Sequence, residues 1–308
     1  MAVSSSTPSP TPQRQARLVR RWYFWLFIVV AAYAIAAIMH WDARAKLWVV
    51  ERMTPQAQRD ASVWLPDYHA FIDGKAMTGL ETDEASDLTY NPDTKTLFSV
   101  MGKHAFLVEL NLEGDVLRKM PLNGWANPEG VAYLGGGRMA ITDEREHLMT
   151  VVTVAPDTKA LNAADWPQFD LGPSANQNKG FEGIAWDPRR GQILLGEERP
   201  AAMFTLKSDD QGKWQGDKVK LAYTTLNLRN LSALDVDPRT GNTLVLSADS
   251  HMLLELDPTG KQVSFMTLLG GLNGLKDTIP RAEGVAMDES GTIYMVSEPN
   301  LFYVFRKF

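Results

Sequence analysis

Cysteine is absent from the 308 residues. That excludes disulfides, thiolate–metal sites, catalytic thiols and a lipoprotein anchor. Also missing are the Walker A, Gly-x-Ser-x-Gly, His-Glu-x-x-His and dinucleotide-binding patterns, so the sequence spells out none of the sites those motifs build. Basic charge is scarce beyond the N-terminus. Residues 1–60 carry eight Lys/Arg and three Asp/Glu, whereas the remainder carries 23 and 34, a net −11 inside an overall −6. An acidic body excludes nucleic acid as a partner and attracts cations. Apolar residues make up 44% of the chain, enough for one large domain with a proper core plus an appendage.

The one long apolar run is Trp22 to Met39, eighteen residues without a charge. As a helix it reaches about 27 Å, close to the roughly 30 Å of a bilayer core. Trp22, Tyr23 and Trp25 at one end and Trp41 at the other match interfacial belts, and Arg14, Arg17, Arg20 and Arg21 precede the run. The positive-inside rule then keeps the N-terminus in the cytoplasm and exports the rest. The expected organisation is a disordered basic tail (1–21), a transmembrane anchor (22–41), a mixed-charge linker (42–66) and one domain (67–308). A cleaved signal peptide is the alternative, with Ala32-Tyr33-Ala34 or Ala34-Ile35-Ala36 as cleavage sites.

Beyond residue 67 one pattern recurs five times. Phe181-Glu182-Gly183-Ile184-Ala185-Trp186-Asp187-Pro188 and Ala282-Glu283-Gly284-Val285-Ala286-Met287-Asp288 are its best copies; Ala85-Ser86-Asp87, Pro128-Glu129-Gly130 and Leu231-Ser232-Ala233 begin the others. The anchors Ser86, Glu129, Glu182, Ser232 and Glu283 are 43, 53, 50 and 51 residues apart, a period of propellers or solenoids. Each copy reads as four short strands separated by turns such as Asn91-Pro92, Asp187-Pro188 and Asp237-Pro238, which is one propeller blade. The fifth copy runs out after Leu301–Phe305, and Tyr68–Ile72 precedes the first copy as a spare strand. Together they close an all-β, five-bladed β-propeller without an open edge. Six blades would need one without a recognisable copy.

Thr142-Asp143-Glu144-Arg145, the Lys179–Pro188 and Ala282–Asp288 stretches and Ser297-Glu298-Pro299-Asn300-Leu301-Phe302 resemble the SdiA-regulated family over about residues 67–308. The resemblance implies a propeller behind an N-terminal membrane segment in a bacterial envelope: a single-pass inner-membrane protein with its propeller in the periplasm. It implies no reaction. The anchor order Ser, Glu, Glu, Ser, Glu is also similar to the central calcium site of five-bladed calcium-activated nucleotidases.

Equivalent positions at the start of each inner strand form a ring in the channel, so Glu129, Glu182 and Glu283 converge with Ser86 and Ser232. Three carboxylates about 5 Å apart repel by roughly 3 kcal/mol per pair at an effective dielectric near 20. Either protons stay on, or a cation sits between them; oxygen-only ligands suit calcium, or another hard divalent cation. The alternative is a set of glutamates that accept backbone hydrogen bonds in a wet channel. A second column, Asp143, Glu197, Asp249 and Glu298, with Glu144 and Glu198 beside it, closes the second strands at the same mouth. Arg145, Arg199, Lys179 and Arg281 lie in loops there, to hold an anionic ligand or to neutralise their neighbours. His104, His147 and His251 share one repeat position and read as turn-side packing. Three functions stay open: a cation-binding propeller that recognises a small anion or an envelope protein, a metal-dependent hydrolase of phosphate esters or lactones, and a non-catalytic interaction scaffold.

Overall fold

The computed structural model describes residues 12–38, 41–173, 180–208, 214, 218–221, 226 and 228–307. The chain divides into two compact units, residues 1–49 and 50–308. In the first, Pro12–Ile38 forms an α-helix whose large apolar side chains, Trp22 to Ile35, are mostly exposed. Among the described residues no helix is long and apolar enough to cross a membrane. The expectation of a span over 22–41 is corrected accordingly. The helix forms over Pro12–Ile38, but its uncharged stretch is not apolar enough for a span. Trp22, Tyr23, Trp25 and Tyr33 also lower its hydropathy.

The second unit is a propeller of five sheets, antiparallel apart from a short parallel pairing of Leu161–Asn162 with the outer strand of one of them. Its inner strands are Ala85–Asn91, Pro128–Gly135, Phe181–Asp187, Ala233–Val236 and Ala282–Met287. They open blades 1 to 5 in chain order. Blade 5 is completed by the N-terminal strand Tyr68–Ala76, which pairs with Leu301–Lys307 from Tyr68↔Lys307 to Ala76↔Leu301. The hydroxyl of Tyr68 donates to the carbonyl of Gly291 at 2.7 Å, locking the closure. No sixth blade exists among the described residues.

Middle strands such as Gln192–Glu197 and Thr243–Ser247 are buried at every position, because each is covered on both faces by neighbouring blades. Near-continuous apolar runs follow from that, where a one-sided sheet would alternate. The core is accordingly a set of inter-blade layers. Phe98 and Val100 meet Val131 and Ile141; Ala132 and Met149 meet Ile184 and Leu195; Leu246 and Leu253 meet Val285 and Met295. Each large buried side chain in these layers is worth about 1.5–3 kcal/mol.

Residues 50–66 dock on blade 4. The fully buried Glu255 accepts the N–H groups of Val63 (2.6 Å) and Trp64 (3.0 Å), and also bonds Asn242 and Ser264. Glu51 accepts the N–H of Phe265 at 2.8 Å, and burial pushes its carboxyl up to about 7. Neighbouring inner strands are stitched by side chains. Asp87 accepts the N–H of Val131 (3.0 Å), Thr89 that of Tyr133 (3.0 Å) and Asp235 that of Met287 (2.6 Å).

Candidate functional site at the channel mouth

At the start of four inner strands the ladder slips by one residue: between Ala85 and Asp87, Pro128 and Gly130, Phe181 and Gly183, and Ala282 and Gly284. The residue left over in each is the repeat anchor, Ser86, Glu129, Glu182 or Glu283. A bulge leaves its extra residue out of the ladder and re-aims that side chain, here toward the axis. In blade 4 Ser232 comes just before the inner strand, its N–H bonded to the carbonyl of Leu246 at 2.9 Å. The glycine after each glutamate is there because the next inner strand passes in contact. A Cβ on Gly130 would lie 2.8 Å from the carbonyl oxygen of Glu182, and one on Gly284 would lie 2.8 Å from backbone atoms of Asp87 and Leu88. The Glu-Gly pair of the repeat is thus one carboxylate turned inward and one missing side chain that lets the ring close.

The five anchors are coupled. Ser86 donates to Glu129, which also accepts from Asn127, and Ser232 donates to Glu283. Burial pushes Glu129 up to about 8, reinforced by the charges of Glu144 and Glu283. Burial likewise takes Glu182 to about 10, with Glu198, Glu283, Glu129 and Glu144 all adding repulsion. Glu283 reaches about 7, where burial is opposed by Arg281 and by the Ser232 hydroxyl. Glu129 and Glu182 are deep in the body yet partly open, so they are desolvated and still reachable, whereas Glu283 is buried. Glu182 lies where the four other charges meet and holds its proton at neutral pH.

Among the described residues no group of three or more Asp, Glu or His stands close enough to hold a metal ion directly. The donor set is all oxygen, which suits a hard cation. Two of its carboxylates are already engaged by serine hydroxyls, however, and Arg281 reaches Glu283 at 3.2 Å and Glu298 at 2.6 Å. A cation among these residues would be held through water.

The second column does not form a common ring. Asp143 is buried and spent on backbone, accepting from the N–H groups of Ala126, Asn127, Arg145 and Glu146. Glu197 is buried too. Asp249 and Glu298 remain at the rim, paired with Arg199 and Arg281. Glu144 accepts from the Asn127 amide and from the N–H of Gly180, each at 2.9 Å. Arg145 is exposed, Arg199 also lies 3.5 Å from Glu198, and Lys179 lies outside the described residues.

His147 and His251 have φ of 54° and 44°, and Asn300 at the equivalent turn has 55°. This left-handed turn, which histidine and asparagine tolerate better than most residues, accounts for the column in these two blades. His104 instead pairs with Asp83 at 2.6 Å.

Sequence reasoning missed Asn127, Asp87, Asp235 and Gly102. A Cβ on Gly102 would lie 2.8 Å from the Ser86 hydroxyl, so this glycine leaves the space the Ser86–Glu129 pair occupies. Asp235 had a signal: it stands three residues after its anchor, where blades 2, 3 and 5 carry Ala132, Ala185 and Ala286.

Several solved structures are similar in fold. A chain of a nidogen/laminin complex is 17% identical, with a TM-score of 0.49 over 75% of this chain and 85% of that one. The calcium-binding protein regucalcin from Agrobacterium tumefaciens str. C58 is 11% identical, with a TM-score of 0.49 over 78% and 93%. A luciferin-regenerating enzyme is 11% identical, with a TM-score of 0.47 over 78% and 94%. The sequence itself is matched from residue 60 to residue 306 by the family model described as SdiA-regulated, and the chain belongs to that family.

Proposed function

We propose that this protein is a membrane-attached, extracytoplasmic recognition propeller whose channel mouth binds a divalent cation, calcium foremost, together with a small anionic ligand. One observation carries the reading: three glutamates from three blades, each turned inward by a bulge, share a desolvated space in which all are pushed above neutrality or to it. A hard cation held through water by Glu129, Glu182 and Glu283, with Ser86 and Ser232 completing the ring, would relieve that repulsion. Arg145 and Arg199 at the rim would grip the anion, Arg199 by exchanging Asp249 for it. An ion that binds only the folded state raises the melting temperature with occupancy. Added Ca²⁺ is therefore expected to stabilise the metal-free protein, and Glu182→Gln to shrink that shift. A melting temperature indifferent to Ca²⁺ and to chelator, with no ion in the dialysed protein, sinks the reading.

The exposed apolar helix from Trp22 to Ile35, behind Arg21, supports attachment to the cell membrane, and a propeller on its periplasmic side is part of the same proposal. A reporter that works only outside the cytoplasm, fused after residue 60, should be active. Activity of a cytoplasm-only reporter there refutes it.

A second reading has its own support. Glu182, holding a proton beside other carboxylates, would serve as a general acid in a metal-dependent hydrolase of phosphate esters or lactones. Turnover of such substrates that requires Ca²⁺ and is lost in Glu182→Gln would select it over recognition alone.

A further inference from the structure

Four residues after each anchor, where the inner strand leaves the channel at its other end, stand Tyr90, Tyr133, Trp186, Val236 and Met287. All five line one cavity of about 380 Å³, with each blade contributing one side chain. That volume lies within the roughly 300–1,000 Å³ of small-molecule sites. Three of the five are aromatic, and the rest of the wall includes prolines of the blade turns, Pro92, Pro188 and Pro238.

The charge of this cavity has one sign. Its charged lining residues are Asp235 and Glu289, and no Lys, Arg or His lines it among the described residues. Asp235 is deep in the body, with part of its surface open to the cavity. It accepts the N–H of Met287 at 2.6 Å and also that of Val236, and the remaining lone pairs of the carboxylate are left for the cavity. At the rim, Glu289 accepts from the Tyr90 hydroxyl. The nearest arginines are committed elsewhere. Arg239 reaches the Met287 sulfur at 3.4 Å, but its charge is met by Asp237 at 2.9 Å, and Arg189 donates to the carbonyl of Thr240 at 3.0 Å.

From this juxtaposition we propose that the end of the channel opposite the glutamates binds a small organic cation: an ammonium carried on an apolar or aromatic body. The charge sits between Asp235 and Glu289, and the body lies against Tyr90, Tyr133 and Trp186. Aromatic faces attract cations through the ring quadrupole, most strongly once water is excluded, and tryptophan is the best of them. Burial pushes the Asp235 carboxyl up to about 7, so an arriving cation shifts it readily to the ionised form. An anionic ligand would meet two carboxylates with no counter-charge, and a neutral apolar one would make no use of the lone pairs that Asp235 has beyond its two backbone bonds.

The test is binding of benzyltrimethylammonium to the full-length protein, followed by calorimetry and by tryptophan fluorescence, beside benzyl alcohol and phenylacetate. The ammonium is expected to bind about tenfold or more tighter than the alcohol, with phenylacetate weakest. Asp235→Asn keeps the acceptor for Met287, and Glu289→Gln alters only a rim residue; each should weaken the ammonium roughly tenfold. Glu182→Gln should leave it unchanged, which separates this site from the acidic mouth. Equal binding of alcohol and ammonium, preference for phenylacetate, indifference to both carboxylate variants, or no binding of the ammonium at all would each overturn the proposal.

Discussion

The two ends of the channel are built from the same five strands and differ in almost everything else. At the entry end the anchors Glu129, Glu182 and Glu283 leave the ladder on bulges, and polar side chains reach one another around the ring. Four residues on, at the exit end, the equivalent positions carry Tyr90, Tyr133, Trp186, Val236 and Met287, and of these ladders only that of blade 2 slips there, between Tyr133 and Gly135. Between them glycines and alanines bring the inner strands into contact. The comparison teaches that one repeat can specify two chemically opposed sites, since a shift of four positions along a strand moves a side chain about 13 Å.

The largest expected effect is on what both ends share. Gly284→Ala puts a Cβ 2.8 Å from the backbone of Asp87 and Leu88, which cannot yield as a flexible side chain would. A loss of about 3 kcal/mol or more is expected, seen as a melting temperature lower by roughly 6–12 °C and weakened binding at both ends. Near-wild-type melting would mean that the inner ring is looser than its packing implies.

The next separates the ends by pH. The entry glutamates have folded-state values of about 7, 8 and 10, all above the usual value of 4.5. Between about 4.5 and those values the unfolded chain has released protons that the folded state retains. Their contribution is therefore complete below about 4.5 and is lost as pH rises toward 7, 8 and then 10. The metal-free protein should lose stability across that window, by on the order of 1 kcal/mol per pH unit for each glutamate that still holds its proton, and Ca²⁺ should flatten the slope. Stability that rises with pH from 5 to 8 in chelator would contradict the shared desolvated space.

Rim arginines come third. If an anion binds the acidic mouth, Arg145→Ala and Arg199→Ala should each weaken it by roughly tenfold or more while leaving folding intact. Unchanged affinity returns both to neutralising their neighbours, the role Arg199 already fills toward Asp249 and Glu198. The smallest effect is that of Glu182→Gln on the metal-free protein. Because Glu182 keeps its proton until about pH 10, removing its charge should stabilise the protein by about 1 kcal/mol only above that pH and leave the aromatic end untouched. Destabilisation there would identify Glu182 as a structural acceptor.

Much of this was legible without coordinates. The anchor spacing predicts the number of blades, and the missing strand of the last copy together with the spare strand at Tyr68 predicts how the ring closes; the register from Tyr68↔Lys307 bears this out. The gathering of the glutamates follows from their equivalence. The division of labour in the second column does not. Asp143 and Glu298 occupy the same repeat position, yet one is consumed by four backbone N–H groups and the other pairs with an arginine. Loop lengths differ between the blades, and loop conformation sets which donors a carboxylate meets.

The sequence by itself determined the repeat, the strand pattern, the ring of anchors and the acidic character of the body, because these depend on residue type and spacing alone. Only the tertiary structure decided that the anchors are bulged, that Arg281 lies across Glu283, that residues 50–66 are held by the buried Glu255, and that Asp235 faces an aromatic cavity. Each of those depends on residues tens to hundreds of positions apart meeting at a distance and an angle, and periodicity carries no information about either.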